Sequence, residues 1–358
     1  MIPKKGVHGF LLSFIIFVFG VSHVFSQSSI PGTLMIADNL GRKVVLPARA
    51  DKILSLQPEI TRIVIALGAG ERLVGIDYFI LKHDHLFPII FPEGRKLPAV
   101  SNTPEDVNFE MVMKLEPDIV FVSPTELQMV DSLQSKVRTP VVALASMGSF
   151  DKLLEEIRLV GRMLGREDRA AELIGDFRLR LEAVRKSVSS GSQGKKPRVY
   201  MSFWGSLART PVSYEPVDIA GGINCAAGIL PAYLGPIATI VQIEQIVSWQ
   251  PDVFLVQGNY PPPERSVTVE DILLDKRLSS LPAVRNKKVF YTFGYWYWWD
   301  PAEVLVETLY LARLFHPELS GSVSLETEGN EIFKKFYGIE GGFSSLCRLL
   351  ECGEWDEE

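Results

Sequence analysis

Histidine and cysteine are scarce in this chain: five and three among 358 residues. The cysteines, Cys225, Cys347 and Cys352, form no CxxC pair and no Cys/His zinc spacing. An oxidising compartment permits a Cys347–Cys352 bridge, with Cys225 left as a buried free thiol. There is no GxSxG elbow, no HExxH, no Walker A loop and no GxGxxG fingerprint. Two of the histidines, His8 and His23, lie in the N-terminal leader, so acid–base catalysis has little to work with. A hydrolytic enzyme is therefore the weakest reading. Positive charge is not in excess either, with 37 Lys and Arg against 43 Asp and Glu. That balance argues against nucleic acid or an anionic membrane as partner.

The one long apolar run is N-terminal. Lys4 and Lys5 precede a twelve-residue apolar region, Phe10–Val21, interrupted only by Ser13 and Gly20, and Val24-Phe25-Ser26 offers small residues at −3 and −1. This reads as a cleaved export signal over residues 1–26, too short to span a bilayer. No cysteine lies near the cleavage point, which argues against a lipoprotein. Loss of Lys4 and Lys5 takes the net charge from −6 to −8. The expected product is soluble and periplasmic.

What the chain does have is a repeat. EMVMKLEPDIVFV at 110–122 returns as EQIVSWQPDVFLV at 244–256, with Glu110, Pro117 and Asp118 matched by Glu244, Pro251 and Asp252. In each copy a short amphipathic helix runs through Pro-Asp into a buried strand. Two such units far apart predict two related lobes with a cleft between them.

The rest of the chain alternates strand and helix, which argues for parallel sheets covered on both faces. Residues 34–47 read as a hairpin, 52–56 and 72–76 as strands, and 58–67 as a helix between them. Residues 77–107 read as mostly loop, and 140–144 as a further strand. Asp151 opens a helix to Leu164. Apolar positions 170, 174, 177, 181 and 184 then predict one helix of about 22 residues, roughly 33 Å long. Beyond it come strands at 198–203 and 288–293 and helices at 301–315 and 326–338. The expected organisation is a leader (1–26), a first α/β lobe (30–150), a linking helical segment (151–188), a second α/β lobe with a closing helix (197–338), and a loosely ordered acidic tail (339–358).

Four stretches carry a resemblance: KILSLQPEITRIVIALGAGERLVGI, TPEDVNFEMVMKLEPDIVFV, DIAGGINCAAG and LYLARLFHPE. Together, in this order, they resemble the class III periplasmic substrate-binding proteins of ABC importers, over about residues 34–338. That family captures ferric siderophores, haem or cobalamin. The resemblance implies an α/β fold of two Rossmann-like lobes with parallel sheets, joined by a long rigid helix. It implies a monomer without an intrinsic cofactor. The ligand would be a metal chelate of iron or cobalt, and the partner a permease dimer in the membrane. One glutamate on each lobe docks onto the permease in this family, and the matching positions are Glu110 and Glu244. Each would equally suit the first turn of its helix. Where the family often has a glutamate or another polar residue, this chain has Arg62. It would help hold an anionic ligand at that helix start, or else sit in solvent.

The cleft should lie at the strand C-termini. Candidate ligand contacts there are Tyr78 in the first lobe and Trp204 in the second. Tyr295 to Trp299 are five consecutive aromatics that cannot all face one core, so Trp296, Trp298 and Trp299 join the candidates. Arg209, Tyr214 and Tyr233, in the irregular stretch after Trp204, are candidates for polar contacts. His83 and His85, flanking Asp84, are the one tight cluster of metal-type ligands. A free metal ion or an oxyanion such as molybdate is the alternative ligand, carried by that cluster or by Arg62.

Overall fold

The computed structural model describes residues 33–103, 106–124, 127–146, 148–191, 195–233, 237–294, 299–319 and 323–352. The expected leader falls outside them. The described chain opens with the hairpin β1 (Thr33–Ala37) and β2 (Lys43–Pro47). The first lobe is built on β3 (Ile53–Ser55), β4 (Leu73–Ile76), β7 (Ile119–Val122) and β8 (Val141–Ala143), with a small pair β5 (Ser101–Thr103) and β6 (Asp106–Val107) beside it. The second has β9 (Arg198–Ser202), β11 (Ile223–Asn224), β13 (Val253–Gln257) and β14 (Val289–Thr292), with the pair β10 (Arg209–Pro211) and β12 (Ala238–Ile240).

Both main sheets are parallel, and they share one strand order. The first runs β4-β3-β7-β8 and the second β11-β9-β13-β14. Counted within each lobe, both are 2-1-3-4. Strands β3, β7 and β8 are buried along their whole length, as expected of parallel strands covered on both faces.

The repeat explains part of this likeness. Its helices are Phe109–Leu115 and Ile243–Trp249, and each ends on a left-handed residue, Glu116 and Gln250, both at φ 48°. Pro-Asp then turns the chain into β7 or β13. Asp118 accepts the backbone N–H groups of Asp51 and Lys52 at 2.8 and 2.9 Å, and Asp252 accepts that of Arg198 at 2.9 Å. Each aspartate thus fixes the entry of the neighbouring first strand, β3 or β9.

Between the lobes run the helices Phe150–Leu164 and Glu167–Gly191, the second of 25 residues. Ser149 rather than Asp151 holds the cap position of the first. The predicted stripe of the second, Ala170, Ile174, Phe177, Leu181 and Val184, is buried throughout. Each large side chain so buried contributes about 1.5–3 kcal/mol. A Cβ added at Gly161 would stand 2.6 Å from that of Ala170, so the glycine is what lets the two helices approach. One apolar cluster continues from Ile53 through Phe177 to Val199 and Trp299, joining both lobes.

Two expectations need correction. Residues 77–107 contain helices Tyr78–His83 and Phe87–Ile90, because Asp77 and Asp84 accept the N–H groups at their starts. The tail expected from residue 339 instead begins with a helix, Gly342–Leu350. Its Phe343, Leu346 and Leu350 are buried, and Phe343 lies on Gly329 of the closing helix Leu325–Tyr337, where any side chain would collide with the ring.

Candidate functional site

In an open parallel sheet, ligands sit beyond the strand C-termini where the strand order reverses. Here that point falls between β3 and β7 in the first lobe and between β9 and β13 in the second. The two points are finished differently.

In the first lobe the point is filled. Gln57 caps the helix Pro58–Ala66 by accepting the Ile60 N–H at 3.0 Å. Glu59, without exposed surface, accepts the Ser146 N–H at 2.9 Å, the Ser146 hydroxyl at 2.6 Å and the Trp299 N–H at 3.1 Å. Glu156 lies beside it, and its carboxylate oxygens find no donor among the described residues. Burial, then the Glu59 charge, holds the Glu156 carboxyl well above its ordinary value. Arg62 is equally buried and pairs with Asp84. Asp77 nearby is raised to about 7, chiefly by burial, and burial also raises Asp300, which accepts the Tyr337 hydroxyl. This cluster ties the first lobe to the second and to the closing helix.

In the second lobe the point is open. A cavity of about 370 Å³ lies at the ends of β9 and β13, lined by Ser202, Trp204, Gln257, Tyr260 and Arg265, with His83 reaching in from the first lobe. Trp204 sits in the left-handed region at φ 54°, and its N–H donates to Gln257 Oε1 at 2.6 Å. Its ring centroid is 5.8 Å from that of Tyr233. The Arg209 guanidinium covers Tyr233 at 4.9 Å and donates to the Trp204 carbonyl at 3.0 Å. Arg265 stacks over Tyr291 at 4.2 Å and donates through Nε to the Tyr260 carbonyl at 3.0 Å. At the rim the lobes touch, with His85 Nε2 3.1 Å from Glu264. Larger cavities of about 850 and 550 Å³ lie elsewhere, one at the strand starts Asp252 and Lys288, the other along the long helix at Arg178 and Arg185. Neither is at a strand C-terminus.

The predicted residues divide accordingly. His83 and Trp204 line the cavity, and Tyr233 and Arg209 support Trp204. Tyr78 stands next to His83, its hydroxyl 3.4 Å from the imidazole. Tyr214 and Trp299 have no exposed surface. Tyr214 donates to Glu307, and the Trp299 ring packs on Phe150 at 4.8 Å, so both are core residues rather than cleft contacts. Trp296 and Trp298 lie outside the described residues. The His83-Asp84-His85 triplet does not converge: Asp84 turns inward to Arg62, while the two histidines go to Tyr78 and Glu264. Among the described residues no three metal-type side chains come together. Arg62 is neither solvated nor at an open helix start. Glu110 and Glu244 are exposed at equivalent points of the two repeat helices.

Sequence reasoning missed Gln257, Tyr260 and Arg265. The signal available was topological: they follow the strand of the second repeat copy, on the side where the strand order reverses.

An open crevice at the switch point of one of two α/β lobes is a place where a small solute can be held. The chain belongs to the periplasmic binding protein family, whose profile matches residues 53–294. That family is one of binding proteins. It is 26% identical over 338 residues to the molybdate-binding protein MolA of Haemophilus influenzae, spanning 85% of this chain and 90% of that protein. The structure of MolA bound to molybdate matches with a TM-score of 0.72 at 24% identity, over 86% of this chain and 98% of that one. The cobalamin-binding protein of Halobacterium salinarum is 25% identical over 213 residues, 59% of this chain and 54% of that protein. Among the described residues no helix is long and apolar enough to cross a membrane.

Proposed function

We propose that this chain captures a small oxyanion of the molybdate class in the second-lobe cavity and delivers it to an ABC importer. The observation that carries this reading is the cavity itself. At about 370 Å³ it stands near the small end of ligand sites. The Arg265 guanidinium, the Gln257 amide and the His83 imidazole stand around it and can donate to an oxyanion, beside the Glu264 carboxylate; the Ser202 hydroxyl is taken by the Ser206 carbonyl. A relative matched over 85% of this chain carries a molybdate-binding name. No intrinsic cofactor enters this reading.

A second reading, a chelate of iron or cobalt, draws on the Trp204–Tyr233 ring pair, a surface suited to a flat conjugated ligand. Titration calorimetry of the mature protein with molybdate, haem, a corrinoid and a ferric siderophore separates the two. Molybdate alone should bind. Binding of a chelate without molybdate overturns the first reading in favour of the second.

Delivery rests on Glu110 and Glu244 as paired carboxylate handles for a two-fold permease. Uptake should be lost in the Glu110→Ala/Glu244→Ala double variant while solute affinity stays unchanged. A collapse of affinity would place these residues in the cleft instead.

A further inference from the structure

The helix Gly342–Leu350 ends beside the cleft. Its last carbonyl, Leu350 O, accepts a hydrogen bond from Nη2 of Arg265, the guanidinium that lines the cavity. Two cysteines bracket this point. Cys347 lies in the last turn, and its carbonyl accepts the N–H of the left-handed cap residue Glu351. Cys352 follows directly; the left-handed turn at Glu351 folds the chain back over the last turn, and the two free, half-buried thiols pack against the same apolar cluster. The third cysteine, Cys225, is separate and buried in the second lobe.

We propose that Cys347 and Cys352 are a redox modification site: a disulfide between them fixes the end of the last helix and, through Leu350, sets the position of Arg265 in the cleft. The periplasmic binding protein family works in a compartment where such bonds form. The oxidant is a disulfide, of protein or small-molecule origin. Burial holds the Cys352 thiol well above its ordinary value, so Cys347 reacts first. As thiolate it attacks one sulfur of the incoming disulfide and expels the other as a thiolate. Cys352 then attacks the mixed disulfide, loses its proton, and releases the second thiol. Two electrons and two protons pass to the oxidant, which leaves as two thiols. Burial pushes the Cys225 thiol to about 11, which keeps it out of this exchange.

The link to solute affinity rests on the cavity being the solute site; the bridge itself does not. The full mature chain is incubated with oxidised glutathione or with dithiothreitol, unfolded, and labelled with a maleimide polymer. One thiol should label after oxidation and three after reduction, and peptide mapping should join Cys347 to Cys352. Three labelled thiols after oxidation, or a bridge to Cys225, overturns the proposal. Amide exchange reads the second half: on reduction, residues 260–266 and 346–351 should speed up together, about tenfold, and in Cys347→Ser neither should respond. Faster exchange at 346–351 alone breaks the connection to the cleft. Molybdate affinity should then fall several-fold on reduction of the wild type. If molybdate binds neither form, the ligand class is wrong, while the thiol count and the exchange data still decide the switch.

Discussion

The two lobes share a strand order and a repeated helix–turn–strand unit, yet their switch points differ in use. The first is packed shut by Gln57, Glu59, Arg62 and Ser146, none of them with exposed surface. The second is open and holds Trp204, Gln257 and Arg265 around a cavity. Duplicated topology supplies two equivalent crevices; side chains decide which becomes a joint and which a receptor. The joint is costly chemistry, because several buried carboxyls gather round one cation, Arg62. They are tolerated only where protons or backbone N–H groups replace lost water.

The sharpest way to break this comparison is to cut the joint. Arg62→Ala strands Asp84 as a buried unpaired charge and should cost about 3–5 kcal/mol in urea unfolding. A loss below 1 kcal/mol would mean the joint is not structural. Arg265→Ala should do the converse, weakening molybdate binding by about 1.5–3 kcal/mol, roughly ten- to a hundredfold in Kd. Its unfolding free energy should change by much less than that of Arg62→Ala.

Next in size is the pH dependence of the joint. A carboxyl with a raised folded value binds more protons folded than unfolded. Above its ordinary 4.5, and up to that raised value, Glu156 therefore makes stability fall as pH rises. One such proton gives a slope of about 1.4 kcal/mol per pH unit. Glu156→Gln should remove that share in urea titrations from pH 5 to 7, while Asp77 and Glu307, both held at about 7 by burial, keep a residual slope. An unchanged slope would show that Glu156 does not hold the proton. Smallest is the rim: His85→Ala removes a half-exposed contact to Glu264 and should shift stability by less than about 1 kcal/mol.

Much of the scaffold was legible. Hydrophobic period gave the long helix, and the spacing of Pro-Asp gave both repeat strands, because these depend on neighbours along the chain. The joint was not legible. Arg62 finds Asp84 22 residues away, and Glu59 meets Trp299 across 240 residues, distances over which local pattern carries no information. The helix at Gly342–Leu350 was missed although Phe343, Leu346 and Leu350 have helical spacing, because a glycine-rich start was read as loop. Tyr214 and Trp299 misled for a related reason: an aromatic after a strand looks the same whether it caps a core or lines a cleft.

The apolar cluster that runs without interruption from Ile53 through Phe177 to Trp299 also bears on how the molecule comes apart. Two lobes on a flexible tether would melt as two bodies, each with its own midpoint. Each lobe keeps a smaller cluster of its own, around Val120 and around Phe254, but the cluster they share spans both, so the pair should act as one cooperative folding unit. Calorimetry should record a single transition whose van't Hoff and calorimetric enthalpies agree.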